Sequence, residues 1–119
     1  MSADNSQASF RRGVLSLVIL SLLKKEDMYG YQLVQEANGQ SGGLLNTQEG
    51  SLYPVLYKLQ EQGMISDRRV LVGKRMTRVY YHLEPSGEQR LQELTQEYLD
   101  VTRGVLKIIN KEIESNEEK

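Results

Sequence analysis

The 119-residue chain contains no Cys, no Trp, one His, one Phe and two Pro. Each absence excludes something. Without Cys there is no disulfide framework, no thiolate metal site and no Cys nucleophile. That is the usage of a reducing cytoplasm, the expected location. A single imidazole leaves no His-rich metal cluster, and the chain shows no Gly-rich phosphate loop and no metal-spaced set of ligands. Neither an enzyme nor a cofactor is expected. Long apolar runs are missing too: the longest, Val14–Leu23, is ten residues interrupted by two serines, too short to span a bilayer. Arg11 and Arg12 precede it as in a signal peptide, but Lys24-Lys25-Glu26-Asp27 follows it where a small-residue cleavage site would lie, so it reads as a buried core helix.

An excess of positive charge is also missing. The formal net charge is −1, from 15 basic and 16 acidic residues, whereas DNA-binding proteins usually carry a basic footprint. The total conceals the distribution. Residues 1–63 have net −1. Residues 64–83 have net +4, with Arg68, Arg69, Lys74, Arg75 and Arg78 against Asp67. Residues 84–119 have net −4. A local cation of this kind suits phosphate contact, although basic residues also keep an exposed edge strand soluble.

The local patterns follow a definite order. Residues 1–9 are small and polar and are expected to form a disordered arm. From Phe10 to Lys25 the apolar residues Val14, Leu15, Leu17, Val18, Ile19, Leu20, Leu22 and Leu23 cover nearly every helical face, which predicts a buried helix. Tyr29, Leu33 and Ala37 predict a second, shorter helix, stopped by a loop rich in glycine over residues 38–43. A third helix carries the stripe Leu52, Val55, Leu56 and Leu59 and ends at Gly63. Asn46 and Glu49 have capping-box spacing. Pro54 fits either a helix starting near Thr47 and bending, or one starting at Ser51; the first is preferred.

Two alternating runs, Ile65–Val72 and Thr77–Leu83, flank Gly73-Lys74-Arg75 and predict a β-hairpin with a basic tip. Pro85 then opens a long helix expected to reach about Ile113, leaving a charged tail over 114–119. Three helices, a hairpin and a helix is the winged helix-turn-helix order. The fold class is therefore mainly α with a small β-hairpin, with domain boundaries at 10–84 and 85–113. The third helix is the expected reader and the hairpin its wing.

Four motifs then carry a resemblance. Met28-Tyr29-Gly30-Tyr31-Gln32-Leu33, Glu49-Gly50-Ser51-Leu52-Tyr53-Pro54-Val55-Leu56-Tyr57-Lys58-Leu59, Gly63-Met64-Ile65 and Arg78-Val79-Tyr80-Tyr81-His82-Leu83 stand in order, followed by Gly87. Together they resemble the PadR family of bacterial transcriptional regulators over roughly Gly13–Leu99. The family carries a proline where Pro54 stands. Glu84 replaces its usual Thr at the cap of the last helix, and the single helix after the wing resembles the short subfamily. The resemblance implies a regulator, most often a repressor, that binds a palindromic operator as a homodimer and is released by a small aromatic or amphipathic effector.

The residues suggest roles within that frame. Thr47, Gln48 and Ser51 lie where recognition residues sit, at the start of the reader, and Gln48 has the amide for bidentate pairing with adenine. Glu49 suits capping better than DNA contact. Tyr53 and Lys58 reach phosphates, or Tyr53 packs internally. Lys74 and Arg75 are expected phosphate or minor-groove contacts, while Arg78 contacts DNA or pairs with an acid. Leu91, Leu94, Tyr98, Val101, Val105 and Ile108 follow heptad spacing and predict a dimer seam, joined by Leu15, Val18 and Leu22 of the first helix. In drug-sensing short members of the family a Trp on the last helix stacks on the ligand. Alignment places Tyr98 there, either as an effector-stacking ring or as an ordinary seam residue. The competing class is a winged-helix protein–protein adaptor without sequence-specific DNA binding, favoured by the acidic last helix. Salt-dependent binding to a palindromic duplex separates the two.

Overall fold

In the computed structural model the backbone of residues 3–110 and the side chains of residues 13–110 are described. Seven elements follow in order: α1 (Ala3–Lys25), β1 (Met28–Tyr29), α2 (Gly30–Gln40), α3 (Glu49–Glu61), β2 (Ile65–Leu71), β3 (Thr77–Leu83) and α4 (Pro85–Ile109). Helix α1 begins at Ala3, so the arm expected over residues 1–9 is largely helical; no Gly or Pro interrupts it before Gly13.

The core is one cluster. Leu15, Ile19, Leu20, Leu22 and Leu23 of α1 meet Leu33, Val34 and Ala37 of α2 and the full predicted stripe of α3, Leu52, Val55, Leu56 and Leu59. Ile65, Tyr81 and Leu91 seal it from the sheet and from α4. The exception to all-round burial of α1 is the row Val14, Leu17 and Val18, which is only half-buried.

The wing is a three-stranded antiparallel sheet of order β1-β3-β2. The strand β1 was not expected. Its two residues pair Met28 with Tyr81 and Tyr29 with Tyr80, so Tyr29 belongs to the sheet and caps α2 from outside. Strands β2 and β3 run in register from Ile65–Leu83 to Leu71–Thr77. The turn closes with the Val72 N–H donating to the Met76 carbonyl at 2.7 Å, and Gly73 takes the positive φ of 106° that the turn requires.

Helix boundaries depart from the sequence expectations at the start of α3 and at the end of α4. Helix α3 starts at Glu49 with Gln48 as cap and no side-chain capping bond; Asn46 adopts φ 47°, so no Asn46–Glu49 capping box forms. Pro54 sits inside α3 on its exposed face, where the Gly50 carbonyl that loses its partner is open to solvent. Helix α4 ends at Ile109, because Asn110 turns left-handed with φ 62° and its N–H returns to the Leu106 carbonyl, an Asn-type stop. Ile113 and the tail 114–119 lie outside the described residues. Gly63 ends α3 as expected: its N–H reaches the Gln60 carbonyl, and that of Met64 the Leu59 carbonyl, each at 3.0 Å.

Candidate nucleic-acid interface

Helix α3 divides cleanly into two faces. Its core stripe is buried, while Gln48, Ser51 and Lys58 are exposed. The Gln48 carbonyl accepts the N–H groups of Ser51 at 3.1 Å and Leu52 at 3.0 Å, so the two polar side chains share the first turn. Glu49 occupies the first helical position, where its charge complements the helix N-terminus; it makes no capping bond.

Thr47 does not join them. It is buried at 8% exposure, with its backbone held by Asn38, and its side chain is withdrawn from any groove. Tyr53 is half-buried and lies directly over Gly30 of α2. Its phenol pKa is raised by burial first, then by the Glu49 carboxylate and Tyr57. Tyr53 therefore packs, as one of the two sequence readings held.

The wing cations sort into two sets. On one face of the sheet the Arg78 guanidinium lies 4.2 Å from the centroid of the Tyr29 ring, and Arg68 lies 5.5 Å from that of Tyr80. Arg68 also bridges to Asp27 at 3.2 Å, and His82 meets the other Asp27 oxygen at 2.8 Å. Tyr29 and Tyr80 meet edge to face at 5.5 Å. Arg68 and Arg78 thus each lie against an aromatic ring of the sheet. Arg69, Lys74 and Arg75 are exposed and have no ion-pair partner among the described residues. Arg69 is the residue sequence reasoning passed over. Strand alternation places it opposite Val79, on the face shared with buried Ile65 and Tyr81, and that alternation was readable.

The acidic helix α4 pairs Glu93 and Glu97 with Arg90 at 3.1 Å and 3.7 Å and Asp100 with Arg103 at 3.6 Å, while its Glu88 reaches Lys24 of α1 at 3.3 Å. The expected seam splits. Leu91 is buried within the protomer, as are Leu15 and Leu22, so these three are core residues and are not free for a partner. Leu94 and Val18 are half-buried. Tyr98, Val101, Val105 and Ile108 stay exposed, at 45%, 65%, 48% and 81%. Tyr98 flanks a groove of about 580 Å³ whose walls include Val14, Val18, Leu44 and Leu45. Among the described residues no group of His, Asp or Glu is arranged to hold a metal, and no helix is long and apolar enough to cross a membrane.

Residues 19–93, more than half of the chain, match the transcriptional regulator PadR-like family. The negative transcriptional regulator PadR of Bacillus subtilis is 31% identical over 80 residues, covering 67% of this chain and 44% of that protein. The chain thus spans under half of that relative's length. Among solved structures, a PadR family regulator from Eggerthella lenta superposes with a TM-score of 0.73 at 28% identity, covering 95% of this chain and 93% of that one. Bacillus subtilis PadR in complex with operator DNA superposes with a TM-score of 0.63 at 31% identity, covering 67% and 46%.

Proposed function

The chain belongs to the PadR-like family of transcriptional regulators, a family of regulators and not of enzymes, and from that premise we propose that it binds double-stranded operator DNA as a homodimer and represses transcription in the cytoplasm. The observation that carries the reading is that exposed Gln48 and Ser51 begin α3 while Arg69, Lys74 and Arg75 of the wing are exposed and have no ion-pair partner among the described residues. The first pair supplies hydrogen-bonding groups for base edges in the major groove. The second set, with Lys58, supplies phosphate contacts and a wing tip fit for the minor groove. The operator complex of Bacillus subtilis PadR supports the same partner.

One short reader helix covers few base pairs, so two protomers are needed, with half-sites about one DNA turn (~34 Å) apart. The exposed apolar face of α4 is the surface for that pairing. Tyr98, beside the apolar groove, is the ring for a small aromatic or amphipathic effector whose binding alters the dimer and releases DNA.

The test is enrichment of duplexes from a randomised pool. The expected result is a palindromic consensus whose affinity falls steeply with salt. Failure to enrich any duplex overturns the reading and favours a protein-binding adaptor.

A further inference from the structure

The link between α2 and α3, residues 41–48, belongs to no helix or strand. It contains Gly42 at φ 64°, Gly43 at φ 83° and Asn46 at φ 47°, and Leu44 is 89% exposed. A glycine-rich link has many alternative conformations to lose. Yet it delivers Gln48, whose carbonyl begins α3. Something outside the link must fix its end.

That something is Asn38. Its Oδ1 accepts the Thr47 N–H at 2.6 Å, and its Nδ2 donates to the Thr47 carbonyl at 3.0 Å. The side-chain amide thus pairs with Thr47 as a neighbouring peptide unit would, across nine residues. The Asn38 backbone carbonyl meanwhile accepts the Gly43 N–H at 2.8 Å, and Ser41 Oγ accepts the Leu45 N–H at 3.2 Å. One residue of α2 therefore ties down the middle of the link and its exit. With Thr47 pinned and buried, the next residue, Gln48, has its position set, and through it the turn that carries Ser51.

We infer that Asn38 is a positioning residue for DNA recognition: its two bonds to the Thr47 backbone set the origin and direction of the reader helix. The inference rests on the DNA-binding reading above. The chemistry is specific to asparagine. Aspartate keeps the acceptor for the N–H but turns a carboxylate oxygen toward the Thr47 carbonyl, serine is too short to span both groups, and alanine has neither. Because the bonds use the Thr47 backbone, the Thr47 side chain is dispensable.

The experiment measures affinity for a duplex enriched by the wild-type protein and for an unrelated duplex of equal length, with amide exchange at Thr47 as an independent readout. Asn38→Ala is expected to lose Thr47 protection and roughly tenfold in affinity for the enriched duplex, the scale of two net hydrogen bonds. The unrelated duplex, held by the intact wing cations, should be bound unchanged with an unchanged salt slope. Thr47→Val should match the wild type. Should Asn38→Ala unfold, Asn38→Asp decides the matter, with loss confined to the enriched duplex. Unchanged affinity in both Asn38 variants, an equal loss for both duplexes, or a Thr47→Val loss as large as that of Asn38→Ala overturns the inference. A wild-type protein that enriches no duplex instead overturns the DNA-binding reading, and this inference with it.

Discussion

The Tyr53 ring rests on Gly30, and a methyl group at Gly30 would collide with the phenol oxygen, Cζ and Cε1. The contact joins the first residue of α2 to the fifth of α3, and it explains why a glycine stands between Tyr29 and Tyr31. Glycine is needed there for close approach, since Gly30 has no positive φ. Gly30→Ala is therefore expected to cost about 1–3 kcal/mol, the range for overpacking a close contact. In a Tyr53→Leu background, where the rigid ring is gone, the same substitution should cost clearly less. Chemical denaturation of the four proteins of this cycle checks it; equal costs in both backgrounds would show that the ring is not the obstacle.

The two sets of wing cations differ in what they do, and salt dependence separates them. Arg78 faces the Tyr29 ring at 4.2 Å, a cation–π contact worth about 0.5–1 kcal/mol at a partly exposed site. Arg78→Ala is expected to lower stability by that amount and to leave the salt slope of DNA binding nearly unchanged. Lys74→Ala combined with Arg75→Ala should leave stability unchanged and reduce the slope by about two, one for each lost phosphate contact. Titration of duplex affinity against salt, alongside thermal melts, reads both. A slope change of about one for Arg78→Ala, half that of the pair, would place it on the DNA.

Helix–helix–helix–hairpin–helix was legible because each element announces itself within its own residues: the stripe from Leu52 to Leu59, the alternation through Thr77–Leu83, Pro85 at a helix start. Contacts between distant segments were not. Tyr29 reads as a helical residue until Tyr80, far along the chain, turns it into a strand. Thr47 reads as a recognition residue until Asn38 claims its backbone. The heptad seam shows that Leu91 and Val105 are both apolar, but not that the protomer's own core takes the first and leaves the second exposed. Of the proposed site, the exposure of Gln48, Ser51, Lys74 and Arg75 was legible from type and position. The contact of Arg78 with the Tyr29 ring was not, because a cation cannot choose between phosphate and an aromatic face by sequence alone.

Tyr81 gives the fold an alkaline limit. It is buried at 4% exposure, and its phenol is pushed up from 10.0 to about 12, chiefly by burial, with the neighbouring Tyr57, Tyr53 and Asp67 adding to it. In the unfolded chain a tyrosine ionises near pH 10. Above that pH the unfolded state has released a proton that the folded state retains, so stability falls as pH rises. The contribution is intact below pH 10 and is lost up to about pH 12. Denaturant midpoints measured in steps through this window should decline, and Tyr81→Phe should flatten the decline. A Phe variant with the same alkaline slope would assign the loss to other groups.

Two apolar positions on the same helix provide the test of assembly. Leu91 is buried within the protomer at 7% exposure, whereas Val105 is 48% exposed on a face shared with Val101 and Ile108. Leu91→Ala should destabilise the domain by about 2–5 kcal/mol, as a cavity in a packed core does, without altering assembly in the proteins that remain folded. Val105→Glu should do the opposite. A carboxylate placed in a coiled-coil-like seam must be desolvated without a partner when two copies pair, yet it stays in water on the isolated protomer. Sedimentation at micromolar concentration is expected to show a dimer for the wild type and for Leu91→Ala, and a monomer for Val105→Glu with an intact far-ultraviolet helical signal. DNA affinity should fall with it, since one reader helix then acts alone. A wild-type monomer would overturn the homodimer, and a Val105→Glu dimer would move the interface away from α4.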